Sequence, residues 1–480
     1  MADSEVRGEL RCSELRIAAV PDAASAVIVL NDTMRRDVVG AYGGKARTPV
    51  LDALAEEALL FERAVSQSPW TKPSIATLFT SLYPSQHQVA SDPSLRRSGA
   101  GSEAEVAETD RLSQGFDTLA EVMREAGVRT AAFVANPWLG ERFGFAQGFE
   151  IYDDSFAAWG SSGDAAVDAA IDWLEGLAPG ERFFLYLHLI ESHRPYGRLP
   201  SQDLEAQRAR YNNDSRPTGV DADALAESIQ LEDGRPATAA GFRPTRALFQ
   251  TAYRRGVEDF DALLGRFLDA LRASEAWQRT AVLVTSDHGE ALYRRGYGNH
   301  GMGLFEDETA LPLVARLPGV EPARGRVGCV VGLVDIMPSL CDYLGAACPG
   351  SSAGWSFLSR PGTPRDSTRR FLVTEGVMGR PAHRALRNRS FKLLYEPEGK
   401  RGRGGVSDPP WSLYDLEEDP RERFDRVEAQ HASSRSQRAY QAMRAALPEA
   451  VADYRAPDKE SAPVSPELES RLEALGYLED

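Results

Sequence analysis

Cysteine is scarce in this chain. Cys12, Cys329, Cys341 and Cys348 are scattered through 480 residues. None stands in a C-x-x-C spacing, so a zinc ribbon or a thioredoxin-type centre is disfavoured, and four cysteines over this length make no disulfide framework. Reduced thiols are the expectation. Lysine is rarer still for its type, with five in the chain, and the formal charge is −16. Acidic residues spread along the whole length, which describes a solvated acidic surface and argues against a nucleic-acid partner. No apolar run approaches the ~18 residues of a membrane span. The opening MADSEVRGELRCSELRIAAV carries charges throughout and lacks the apolar centre of a signal peptide. The reading is a chain without a transmembrane segment and cytoplasmic as given, with an exported form left open.

What is present is an alternation of strand and helix signals. Ala24 to Leu30 (ASAVIVL) reads as a buried strand that gives way to Asn31, Asp32 and Thr33. Thr48 to Phe61 reads as a helix after a Thr-Pro start, and is expected to pack beside the helix opened by Thr71. A helix to Gly127 and a strand through Val134 deliver Asn136 and Trp138. Ala165 to Leu177 is a second amphipathic helix feeding RFFLYLHLIESHRPYG, whose strand carries His188, Glu191 and His193. After a polar stretch at 198–245, read as a lid or insertion, Ala252 to Leu271 forms a long helix and TAVLVTSDHGE a strand ending in Asp287 and His288. Such alternation predicts an α/β fold with a large, mostly parallel sheet sandwiched by helices. The last third reads as a smaller antiparallel sheet with a helix near Ser434 to Leu447 and another near Glu467 to Leu475. The expected organisation is a lead-in over 1–23, a large α/β domain over 24–348 and a smaller α+β subdomain over 349–480.

The most informative stretch is QSPWTKPSIATLFTSLYPSQH, Gln67 to His87. Pro73 suits a first helical turn, so Thr71 stands at a helix mouth, where unused N–H groups and the positive helix end stabilise an anion. Two readings fit: a hydroxyl that merely caps a core helix, or one that does chemistry. Asp32 with Asn31, and Asp287 with His288, occupy strand ends, where open α/β sheets build their sites. They too could be ordinary caps. Taken together they suit a divalent cation, which would lower the pKa of the Thr71 hydroxyl. Oxygen ligands with one imidazole fit Mn, Mg, Ca or Zn.

The order of segments resembles the alkaline phosphatase superfamily, specifically its sulfatase-like branch. VIVLNDTMRRD resembles the opening strand with its metal Asp, the segment through TKPSIATLFTSLYPSQH the nucleophile block, and LHLIESHRPYG the His-x-Pro-Tyr segment. TSDHGEALYRRGYGNHGMGLFEDE is similar to the second metal block. The terminal SRLEALGYL resembles an ending of bacterial members. The resemblance implies that Asp32, Asp287 and His288 bind one divalent metal, with Asn31 where many sulfatases have a further Asp. It puts Thr71 at the nucleophile position, makes His193 the proton donor to the leaving oxygen, and has His300 hold an oxygen of the transferred group. Asn136, Lys72 and Lys392 are the candidate substrate-binding residues, although a strand lysine such as Lys392 is more commonly solvated. A second ion, held by some of Glu191, His193, His188 and His300, is a weaker option.

Departures from the family pattern shift the expected chemistry. The main sulfatases oxidise a Cys or Ser within Cys-x-Pro-x-Arg to formylglycine. Thr71 cannot yield that aldehyde because its carbon already bears a methyl, and Ile75 replaces the Arg. Asn136-Pro137-Trp138 stands where a Lys-Trp-His pattern binds sulfate, so two cationic contacts are lost. The expectation is therefore a metal-dependent hydrolase or transferase, without formylglycine, acting on a phosphate mono- or diester through a covalent Thr71 intermediate. The substrate would be a small-molecule, lipid-linked or glycan-linked ester. The alternatives are a sulfuric ester hydrolase using Thr71 directly, and a non-catalytic phosphate- or glycan-binding relative.

Overall fold

A computed structural model describes residues 9–90, 108–156, 163–194, 196, 246–292, 294–295, 297–359, 371–378, 380–397, 410–428, 431–450 and 460–465. The polar stretch 198–245 and the helix expected near Glu467 lie outside these residues. The strands in chain order are β1 (Arg16–Ile17), β2 (Ser25–Asn31), β3 (Leu59–Val65), β4 (Glu108–Arg111), β5 (Arg129–Val134), β6 (Ile151–Asp153), β7 (Phe183–Leu189), β8 (Thr280–Thr285), β9 (Ala310–Leu311), β10 (Leu313–Arg316), β11 (Val320–Glu321), β12 (Gly325–Gly332), β13 (Leu372–Val377), β14 (Arg380–Arg387), β15 (Phe391–Tyr395), β16 (Trp411–Asp415) and β17 (Glu460–Pro463). The helices are α1 (Pro49–Glu57), α2 (Thr71–Thr80), α3 (Pro84–His87), α4 (Leu119–Glu125), α5 (Asp164–Glu175), α6 (Arg246–Ala273), α7 (Glu306–Thr309), α8 (Ile336–Leu344) and α9 (Ser434–Ala450).

Nine strands form the central sheet in the order β12-β3-β10-β8-β2-β7-β5-β6, with β9 on β3. Only β9 and β10 run against the others. Every residue of β2, β7 and β8 is buried, which is why their sequences are near-continuous apolar runs without alternation. Register levels the strand ends: Asn31 lies opposite Leu189, and Leu30 opposite Thr285. The carboxyl ends of β2, β7 and β8 therefore open onto one edge.

Helices cover both faces. Leu51 and Leu54 of α1 join Val167 of α5 and Phe260 and Leu264 of α6 in one core layer. Ile75 and Phe79 of α2 join Leu119 of α4 and Leu340 of α8 in the other. The expectation that α1 and α2 pack side by side is thus corrected, because the sheet separates them. The expected helix over Thr48 to Phe61 also ends early, at Glu57. Ala58 is extended, and Leu59 to Phe61 begin β3, where the apolar run is buried between β10 and β12. β13 to β16 form a separate four-stranded antiparallel sheet with α9 packed on it.

The expectation of reduced thiols is corrected at one pair. Cys12 and Cys329 form a disulfide across 317 residues of sequence, tying the first described segment to β12. That segment pairs as well through β1 with β11. At the other end, β17 pairs with β4, more than 300 residues upstream.

Candidate active site and metal centre

The level strand ends bring Asp32, Thr71, Asn136, His188, Asp287 and His288 together, each no more than 1% exposed. The Thr71 hydroxyl lies 3.3 Å from Asp32 Oδ2 and 3.2 Å from His288 Nε2. Asp32 Oδ2 also meets His188 Nε2 at 3.3 Å and accepts from Asn136 Nδ2 at 2.5 Å. Asn136 therefore directs an amide N–H at Asp32, a partner that the sequence did not suggest. Its Oδ1 accepts from the Trp138 N–H and caps the following turn. His188, expected at most as a ligand of a second ion, is a direct neighbour of the Asp32 carboxylate, and its Nδ1 meets the Tyr186 hydroxyl at 2.7 Å.

Backbone geometry sharpens the cluster. Thr33 has φ +60°, a region that β-branched residues rarely adopt. This turn aims the Thr33 N–H at Asp287 Oδ1, 3.1 Å away, and the Thr33 hydroxyl is held by the Ser192 carbonyl at 2.8 Å. The Ser192 hydroxyl in turn donates to the Asp32 carbonyl and accepts from Asn31 Nδ2. Gly256 lets α6 pass close to the backbone that carries Ser192: a Cβ there would lie 2.0 Å from the Glu191 carbonyl oxygen.

Ligand atoms of Asp32, Asp287 and His288 all lie within 4.8 Å of one another, and this is the one such His, Cys, Asp or Glu trio among the described residues. Asp32 Oδ1 and Asp287 Oδ2 are buried and accept no hydrogen bond among the described residues, and the same is true of Asn31 Oδ1. Buried oxygens are rarely left so, and two neighbouring buried carboxylates call for a proton or a cation between them. The residues fit a divalent ion. Burial, reinforced by the charge of Asp32, pushes the Asp287 carboxyl up to about 7. Burial also acts on Asp32, but the hydrogen bond from His188 and the neighbouring imidazoles outweigh it and hold that carboxyl well below its ordinary value.

His193 and His300 flank the cluster, their rings 5.1 Å apart, and the His300 ring is 4.4 Å from that of His288. His193 Nδ1 donates to the Arg194 carbonyl at 2.7 Å, which leaves Nε2 to carry or release the second proton. Burial lowers both imidazoles to about 4. His300 Nδ1 meets Glu290 Oε2 at 3.2 Å. Glu290 was not foreseen; burial raises its carboxyl to about 7. Its only sequence signal was its place two residues after His288.

Other expected residues meet partners of their own. Lys392 is neither solvated nor turned to these ligands: at 1% exposure its ammonium meets Thr309 at 3.0 Å and Glu306 and Glu422 at 3.3 Å each. Lys72 is buried, donates to Thr109 Oγ1 at 2.9 Å and lies over the rings of Phe143 and Trp138. Glu191 accepts the Gly163 and Ile190 N–H groups.

A mostly parallel sheet with carboxylates, imidazoles and a hydroxyl gathered at its strand ends suits a divalent cation set beside a reactive hydroxyl, and the family match identifies the class, a hydrolase of the sulfatase and alkaline phosphatase superfamily. The Sulfatase family profile matches residues 25–346, and the chain belongs to that family. It is 24% identical over 437 residues to Delta 4,5-hexuronate-2-O-sulfatase of Bacteroides thetaiotaomicron, covering 83% of each chain. It is 24% identical over 407 residues to Arylsulfatase K of Bos taurus, covering 74% of this chain and 68% of that one. Among solved structures it is similar to the phosphonate monoester hydrolase of Agrobacterium radiobacter, with a TM-score of 0.63 and 21% identity over 88% of this chain and 95% of that one. No described helix is long and apolar enough to cross a membrane.

Proposed function

We propose that this hydrolase cleaves phosphate esters through Thr71 as nucleophile, without formylglycine. The observation that carries the reading is the Thr71 hydroxyl, 3.3 Å from Asp32 and 3.2 Å from His288 at the mouth of α2. Asp32, Asp287 and His288, with Asn31 Oδ1, would hold one divalent ion. When bound, that ion offsets negative charge on the transferred group and makes a neighbouring hydroxyl more acidic.

The chain's own residues supply the rest. Asp32, held ionised, accepts the hydrogen bond of the Thr71 hydroxyl and orients it, and as the Thr71 oxygen bonds to phosphorus its proton passes to water. The bond from phosphorus to the alcohol breaks, and the leaving oxygen takes a proton from His193 Nε2. His193 is neutral before substrate binds, and the negative charge of the ester draws a proton onto it. His300, steadied by Glu290, donates to an equatorial oxygen. Water then attacks phosphothreonine, gives a proton to the vacated His193 Nε2, and Thr71 regains its own. Small-molecule, lipid-linked or glycan-linked esters all suit this scheme.

A second reading, sulfuric ester hydrolysis by Thr71 directly, is supported by the sulfatases among the relatives. Paired aryl phosphate, aryl phosphodiester and aryl sulfate substrates separate the two. Thr71→Ala is expected to fold normally and to lose several orders of magnitude in rate on the favoured substrate. Acid quenching during turnover is expected to trap phosphothreonine at position 71. An unchanged rate in the variant removes Thr71 from the chemistry.

A further inference from the structure

Arg194 is buried, at 7% exposure, yet it has no ion pair among the described residues. Three other buried cations, Arg35, Arg387 and Lys392, differ. Arg35 pairs with Asp307 at 2.6 Å, Arg387 with Glu306 at 3.0 Å, and Lys392 with Glu306 and Glu422. Glu290 acts on this guanidinium through its charge but makes no ion pair with it, and a buried guanidinium without a paired anion is unfavourable, so the position makes sense if a further anion arrives with a ligand.

The geometry indicates which edge of the side chain meets it. Nη1 donates to Asn299 Oδ1 at 3.0 Å. Nε is buried and has no acceptor. Nε and Nη2 lie side by side on the opposite edge, as the planar fork that grips two oxygens of one oxyanion. The residue bridges the two flanking imidazoles: its carbonyl holds His193 Nδ1, and its guanidinium holds the residue before His300.

We propose that the Nε–Nη2 edge of Arg194 is the anion fork of this pocket. It binds a pair of non-bridging oxygens of the group being transferred, and so favours dianionic phosphate monoesters over singly charged diesters. The assignment rests on the reading that an ester reacts at Thr71 in this pocket.

The test uses metal-loaded protein, inorganic phosphate as the probe in titration calorimetry and thermal shift, and aryl phosphate mono- and diesters in steady-state kinetics. Arg194→Gln is expected to weaken phosphate binding about 10- to 100-fold, the scale of a charge-assisted bidentate contact. Arg194→Lys is expected to recover part of it, since charge without the planar fork is a poorer match. For both variants KM for the monoester rises well beyond that for the diester. Arg194→Met is expected to unfold at or above the wild-type midpoint without phosphate, and to lose the phosphate-induced rise in that midpoint. Thr71→Ala is expected to keep phosphate affinity while losing turnover. Full turnover by Thr71→Ala, with the Arg194 effects intact, would overturn the nucleophile and leave the fork standing. Unchanged phosphate affinity in Arg194→Gln and Arg194→Met, or equal losses on monoester and diester, would overturn the fork.

Discussion

Two regions of this molecule bury charge in opposite ways. Where the β13–β16 sheet meets α7, Glu306 is met by Arg387 at 3.0 Å and Lys392 at 3.3 Å, and Glu422 by Arg295 at 3.2 Å and Lys392 at 3.3 Å. Burial alone would raise Glu306, but the cations around it hold its carboxyl well below the ordinary range. At the strand ends, Asp32 and Asp287 face each other, with one oxygen of each accepting no hydrogen bond among the described residues. Charge balanced within the chain stabilises a junction. Charge left open stores an electrostatic demand that a ligand meets, and the strained turn at Thr33 shows the backbone held to that demand.

The largest expected effect comes from relieving the open region. Asp287→Asn is expected to abolish stoichiometric divalent-metal binding, measured by elemental analysis after dialysis, and to cost at least a thousandfold in activity. Because it also removes the repulsion with Asp32, its metal-free form is expected to melt no lower than the metal-free parent. A lower midpoint would mean that Asp287 is simply a structural partner. In the balanced region the sign reverses: Lys392→Met is expected to lose about 3 kcal/mol of stability by urea denaturation, since two buried carboxylates lose a cation. Full stability there would dissolve the contrast.

A buried imidazole, on which burial outweighs the charge of Asp110, gives the smallest effect and a pH signature. His87 accepts the Val89 N–H on Nδ1 and meets Thr77 through Nε2, and burial lowers it to about 3. The folded state therefore resists protonation that the unfolded chain accepts below about 6.5. Its stabilising contribution is complete above that pH and declines as pH falls, by roughly 1.4 kcal/mol per pH unit at most. Denaturation midpoints of wild type and His87→Gln, compared from pH 7 down to pH 5, are expected to converge. Parallel curves would refute it.

The central sheet was legible because its strands are buried on both faces, and such strands read as apolar runs closed by polar residues. Asp32, Asp287 and His288 were legible for the same reason, standing where the runs stop. The sequence could not supply partners made in three dimensions. Arg194 sits in a segment read for His193, and nothing local says that its Nε is buried without an acceptor. Ser192 reaches Asn31, Asp32 and Thr33 across the strand ends, Glu290 meets the His300 ring, and the amide of Asn136 turns to a carboxylate 104 residues away. The burial of Lys392 was not legible, because a lone strand lysine reads as solvated and only the fold brings Glu306 and Glu422 to it. The Cys12–Cys329 bond was invisible to spacing rules built for short loops.

The ribbon of β4 and β17 has a mechanical consequence. Ala462 sits opposite Thr109, whose hydroxyl receives the ammonium of Lys72, the residue next to Thr71. A load applied at the far end of the polypeptide, by a fusion partner or a surface tether, would peel that ribbon like a zip and tug on the neighbour of the reactive hydroxyl within a few bonds. Attachment chemistry belongs on another part of this enzyme.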